Sequence, residues 1–182
     1  YTVIFEKAYA YNQELYETDF PLRDYKQVSG YYDTLRITDN DMIGYLKIDR
    51  IGVELPIYHS TSEEVLNRGV GHLEGSSLPV GGENTHCVMS AHRGLPSAKL
   101  FTDLDRVEKG DTFQIFILDQ VLTYQVDFIK VIEPTDISDL QIIEGGDYCT
   151  LFTCTPYGIN THRLLVRGVR IETIKEKPII YV

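Results

Sequence analysis

Thr150-Leu151-Phe152-Thr153-Cys154-Thr155-Pro156-Tyr157-Gly158-Ile159-Asn160-Thr161-His162-Arg163-Leu164-Leu165-Val166-Arg167-Gly168 decides how the chain is read. Side chains alternate along a strand, so Thr150, Phe152 and Cys154 share one side while Leu151 and Thr153 share the other. Pro156 has no N–H to donate, and Gly158 and Asn160 tolerate turn dihedrals, so the strand stops within a residue or two of Cys154. The sulfur therefore sits at a rim. If the run from Leu164 pairs back antiparallel, the residues flanking the connection, Cys154 and Arg163, become neighbours able to serve one site.

A strand cysteine is most often a small buried hydrophobe, and an exposed arginine is most often merely solvated. A second stretch weighs against that reading. In Val88-Met89-Ser90-Ala91-His92-Arg93-Gly94 another short apolar run ends on a histidine, with glycine and proline close behind. Two strand ends then offer a thiol and an imidazole. A cysteine must lose its proton to attack a carbonyl, and a histidine can take that proton and later give it to a leaving amine. Arg163 fits a third role, because its always-charged fork of donors suits the oxyanion of a tetrahedral intermediate.

Thr150-Leu151-x-Thr153-Cys154, the downstream Arg163 and the upstream His92-Arg93-Gly94 resemble the sortase transpeptidases of Gram-positive bacteria. The run from Thr155 to Arg163, with Gly71-His72-Leu73-Glu74-Gly75 through Gly82 and Ser90 to Pro96 before it, is similar to the class C, pilus-building branch. The resemblance covers about Ile43 to Ile171. It implies Cys154 as nucleophile, His92 as general acid and base, and Arg163 as the residue stabilising substrate and oxyanion. It also implies a closed β-barrel of about eight strands with short connecting helices and an N-terminal helical extension.

The chain has 182 residues, which suits one domain able to bury roughly two-thirds of its unfolded surface. Its 17 Lys and Arg against 27 Asp and Glu leave a formal net charge of −10, which argues against a nucleic-acid partner and favours a protein or peptide. No apolar run approaches the ~18 residues of a membrane helix, so a soluble piece is expected. The resemblance implies that membrane anchors lie outside it. No C-x-x-C or H-E-x-x-H spacing occurs, and no cofactor or metal is expected. A zinc cluster of His86, Cys87 and His92 is disfavoured, because ligands on one strand point alternately and cannot converge without help.

Three cysteines leave at least one thiol unpaired, and Cys154 is the natural odd one. Cys149 lies on the opposite face roughly 16 Å from Cys154 along an extended strand, so those two cannot bridge. Cys87 and Cys149 become neighbours if their strands run side by side in parallel. Buried free thiols are the favoured reading.

Val3-Ile4, Ala8, Tyr11 and Leu15 repeat at helical steps. In class C relatives this region holds a mobile lid with an Asp-Pro-aromatic motif, whereas here the words are Asp19-Phe20-Pro21. No lid contact to the cysteine is carried over, and Cys154 is expected to stand open. From Met42 short runs with turn punctuation follow: Gly44 to Ile48, Val53 to Tyr58, Gly71 to Leu73, His86 to Ala91, Thr112 to Leu118 and Leu122 to Ile132. By themselves these support a mostly-β domain. Short helices are expected over Ser62 to Asn67, capped from Ser60 or Thr61, and over Ser97 to Leu104. His59, His72, His86 and His162 are read as surface or satisfied histidines.

The organisation expected is a helical extension over 1–41, a catalytic barrel over 42–174 and a tail over 175–182 that leads toward a membrane segment. The function the resemblance implies is a pilus-assembling cysteine transpeptidase on the outer face of a Gram-positive membrane. It cleaves an L-P-x-T-G-like sorting signal between Thr and Gly and passes it to a pilin lysine. A cell-wall-anchoring transpeptidase or a hydrolytic cysteine peptidase would share the triad. A non-catalytic pilus β-domain would give no reason for Cys154, His92 and Arg163 to occupy strand ends.

Overall fold

The computed structural model of the chain describes residues 1–37, 41–95, 98–156 and 158–173. Eight strands close a barrel: β1 (Met42–Ile48), β2 (Val53–His59), β3 (Val70–His72), β4 (Thr85–Ser90), β7 (Thr112–Ile117), β8 (Gln120–Ile132), β9 (Asp147–Thr155) and β10 (His162–Ile171). Around the barrel the order is β1-β2-β3-β4-β9-β10-β8-β7, and β7 returns to β1. The pairs β2–β3 and β4–β9 are parallel and the rest antiparallel. Closure removes every free sheet edge from the main sheet, which matters for an all-β chain.

Alternation along the strands divides inside from outside. Cys87, Met89, Cys149, Leu151, Leu164 and Val166 belong to the main buried cluster, while Val88 and Leu165, one residue out of step, belong to a second apolar cluster with Phe152. That second cluster lies on the outer face, the side to which Cys154 belongs. Cys87 and Cys149 are register partners in the parallel pair and both are buried free thiols. Burial pushes the Cys149 thiol up. In β10 the register shifts between Arg167 and Gly168, and a Cβ on Gly168 would stand 2.7 Å from Tyr124 and 2.8 Å from Phe113. The stacked Phe113–Tyr124 pair needs a residue without a side chain there.

Helix α1 (Thr2–Glu17) buries Phe5, Ala8, Tyr11, Asn12 and Leu15. The stripe runs through Phe5 rather than Val3, which is 62% exposed, because a five-residue step to Ala8 turns Val3 well away from the buried face. Asn12 docks the helix by a reciprocal pair, its Nδ2 donating to Leu78 O at 3.2 Å and its Oδ1 accepting from Leu78 N at 2.7 Å. The apolar residues of α1 and of the barrel form one cluster, so the extension shares the barrel's core. The expected tail over 175–182 lies outside the described residues.

Two local expectations are corrected. The second short helix, α2 (Glu63–Leu66), is capped by Ser62, whose Oγ accepts from Val65 N at 3.4 Å, and not by Ser60 or Thr61. No helix covers the described part of Ser97 to Leu104. Strand β5 (Arg93–Leu95) pairs with β6 (Ala98–Leu100), and a single 3-10 turn follows at Leu104–Arg106. Leu100, Phe101 and Leu104 mimic helical spacing and are all buried. The chain reaches that burial differently, by turning at Leu100 with φ of 44° and anchoring Phe101 N to His92 O at 3.1 Å.

Candidate active site

Cys154 and Arg163 face each other across the β9–β10 pair as direct register partners. The strand ends at Thr155, one residue after Cys154, where Pro156 was expected to stop it. Cys154 is half-buried. Among the described residues Arg163 bonds only through Nη1, donating to His162 O at 3.0 Å and more weakly to Asn160 O at 3.4 Å. Among the described residues no carboxylate pairs with it, so Nε and Nη2 are left for another acceptor.

His92 reaches the same corner from the other side. The β4–β9 ladder holds parallel register to Ser90 and Phe152, and continuing it by two residues on each strand brings His92 alongside Cys154. Thr153 keeps the two chains together past the ladder, its Oγ1 donating to Ala91 O at 3.0 Å. His92 Nε2 lies 2.9 Å from Glu63 Oε2 at the start of α2. The imidazole side chain is 25% exposed and the Glu63 carboxylate 82%, so this partner can exchange with solvent. Among the described residues no hydrogen bond joins the imidazole to the Cys154 sulfur.

The other four histidines have structural partners. His72 Nε2 donates to Ser77 O at 2.7 Å, which leaves Nδ1 to accept from the Tyr31 hydroxyl at 2.7 Å. His86 Nδ1 donates to Gln141 O at 2.8 Å, and Nε2 accepts from Thr150 Oγ1 at 2.6 Å. His59 Nε2 donates to Thr34 O at 2.7 Å. Burial lowers the pKa of both His59 and His86, which keeps these rings neutral. His162 pairs with Glu133 at 3.2 Å and with Thr161 Oγ1 at 2.8 Å. Among the described residues no group of His, Cys, Asp and Glu is arranged to hold a metal ion.

An apolar floor leads up to the thiol on the outer face. Val88, Leu165, Ile132 and Leu140 form its buried centre, with Phe152, Ile137, Leu73 and Leu22 packed on them. Leu22 comes from the segment after α1. It stands between two clefts, one of about 460 Å³ toward Ile137 and Gln141 and one of about 400 Å³ toward Ser60 and Ser62. The Asp19-Phe20-Pro21 words do not supply this contact. Sequence reading overlooked Leu22 because a lone leucine in a turn-rich stretch carries no periodic signal.

A closed barrel thus brings a thiol, an imidazole and a guanidinium together near three strand ends. This chain belongs to the sortase family, since the Sortase domain family matches residues 46–171. It is 51% identical to Streptococcus agalactiae sortase C1 in complex with MTSET, over 96% of this chain and 92% of that one, with a TM-score of 0.89. It is 47% identical to Clostridium perfringens sortase C with the C-terminal cell wall sorting motif, over 93% and 88% of the two chains, with a TM-score of 0.81. Sortase D of Bacillus subtilis is 30% identical over 70% of this chain, which spans 63% of that relative's length. The likeness to sortase C structures at about half identity supports the class C branch that the sequence resembles.

Proposed function

We propose that the protein is a pilus-assembling cysteine transpeptidase acting outside a Gram-positive membrane, to which segments beyond this chain anchor it. The register pairing of Cys154 with Arg163 supports the reading, because a thiol and a guanidinium on one face at one strand end suit a nucleophile and an oxyanion donor. The Cys154 thiolate attacks the threonine carbonyl of an L-P-x-T-G-like signal, and Arg163 meets the oxyanion. The C–N bond to glycine breaks as His92 gives its proton to the leaving amine, and a thioester remains. A pilin lysine then attacks, His92 takes the amine proton, and the C–S bond breaks to return the thiolate. The outcome is an isopeptide. Mass spectrometry of a sorting peptide incubated with and without a lysine acceptor tests this: amide exchange is expected, whereas hydrolysis despite abundant amine would favour a peptidase.

The apolar floor beside Cys154 gives the signal's leucine a surface to cover, and Leu22 now covers part of it. Leu22→Ala is therefore expected to lower KM for the peptide about fivefold, since uncovering a partly buried leucine is worth roughly 1 kcal/mol of competition. Leu22 sits on the floor and not on the sulfur, so the rate of Cys154 alkylation by a small reagent should change less than about threefold. A tenfold jump in alkylation would make the segment a gate over the thiol itself. Truncating the extension is a poorer test, because α1 contributes Phe5, Tyr11 and Leu15 to the core.

A further inference from the structure

We propose that Arg93 is a positioning residue for this chemistry, holding the backbone of Cys154 against the turn that carries His92. The inference rests on Cys154 being the nucleophile and adds a residue that acts through the nucleophile's backbone. The need for it arises where the ladder stops. β4 gives β9 strand partners only as far as Ser90 and Phe152. The Cys154 carbonyl lies beyond that end, and a carbonyl left without a donor in a partly buried strand end is costly. Arg93 Nη1 fills the place, donating to Cys154 O at 3.1 Å.

The same guanidinium is fixed at its other nitrogens. Nε donates to Thr102 O at 3.1 Å, and Nη2 lies 3.1 Å from Asp105 Oδ1. The side chain is 6% exposed, so these bonds are made largely out of water, where a planar fork sets direction as well as distance. His92, the residue before it, has its own carbonyl held by Phe101 N at 3.1 Å. Consecutive residues are thus tied to fixed points, and the second tie ends on Cys154. The separation of thiol and imidazole is set in part through this side chain, beside the Thr153–Ala91 bond. A buried arginine that served stability alone would have no need to end on the nucleophile's carbonyl.

The test uses Arg93→Met, which keeps much of the packing, and Arg93→Lys, which keeps the charge without the fork. Each is assayed for kcat and KM with the sorting peptide and acceptor, at a temperature where circular dichroism shows it folded. Arg93→Met is expected to lower kcat about 30-fold or more with KM within about twofold, as a displacement near 1 Å costs on the order of a hundredfold. Arg93→Lys should recover no more than a few-fold. If Arg93→Met does not fold, Asp105→Asn loosens the guanidinium from an exposed partner and should lower kcat about three- to tenfold at unchanged KM. Unchanged kcat in the folded variants, or a loss confined to KM, overturns the proposal. Cys154→Ala in the same assay separates the two readings: if it still turns over, the nucleophile assignment fails whatever Arg93 does.

Discussion

Cys154→Ala is expected to yield a folded protein that forms no thioester with a sorting peptide and loses transpeptidation by about 10⁴-fold or more, as removal of a nucleophile does elsewhere. The fold should survive. Cys154 is half-buried at a strand end outside both apolar clusters, so removing one sulfur leaves no core cavity and costs within about 1 kcal/mol. The thiol contributes through its position. Intact-protein mass spectrometry after quenching shows the adduct in the parent chain and should show none in the variant, and matched melting curves exclude misfolding. His92→Ala should fall nearly as far, and the double variant no further, because both groups act in one step. Adduct formation by Cys154→Ala would move the nucleophile elsewhere, and the buried Cys87 and Cys149 would be poor successors.

The contrast among the three cysteines was legible in the sequence because the strand period is two. Cys149 and Cys154 lie an odd number of residues apart, which sends one side chain into the barrel and the other to its outer face. Pro156 marked the end of β9, and the antiparallel return then set Arg163 opposite Cys154. Closure of the barrel was not legible that way. It depends on β7 meeting β1 and on the parallel contact of β4 with β9, pairings between segments far apart in sequence that no local pattern records. Resemblance supplied the closed barrel, and the parallel contact entered only as the condition under which Cys87 and Cys149 become neighbours.

What the sequence hid at the site were contacts made by unpatterned residues. Glu63 reads as a helix-start carboxylate, yet it reaches the His92 imidazole. Arg93 carries no role of its own in the sequence beyond following His92, yet it is buried against the Cys154 carbonyl. Leucine and phenylalanine at 100, 101 and 104 read as a helix because burial at three- and four-residue steps looks helical, whichever backbone delivers it. In each case the deciding partner lies in another element. Composition and spacing describe one segment at a time, whereas a hydrogen bond to a distant carbonyl belongs to two.

Arg163→Ala is expected to lower kcat/KM by about 10²- to 10³-fold, the usual loss when a donor to a developing oxyanion is removed. The strand will not move to compensate, because β10 is held by backbone pairing to β9 on one side and β8 on the other, whatever the side chain at 163. The loss therefore reports the guanidinium. Arg163→Lys is the sharper variant. The ammonium keeps the charge near Cys154 but cannot place two donors in a plane, and the structure leaves Nε and Nη2 of Arg163 without carboxylate partners among the described residues. If Arg163 acts on the transition state, lysine should restore less than about tenfold, and the deficit should lie in kcat. If it acts only by attracting an acidic portion of the substrate, lysine should restore most of the activity and the alanine deficit should lie in KM. Steady-state kinetics of both variants with one peptide decide this, and near-complete rescue by lysine would remove Arg163 from the oxyanion site.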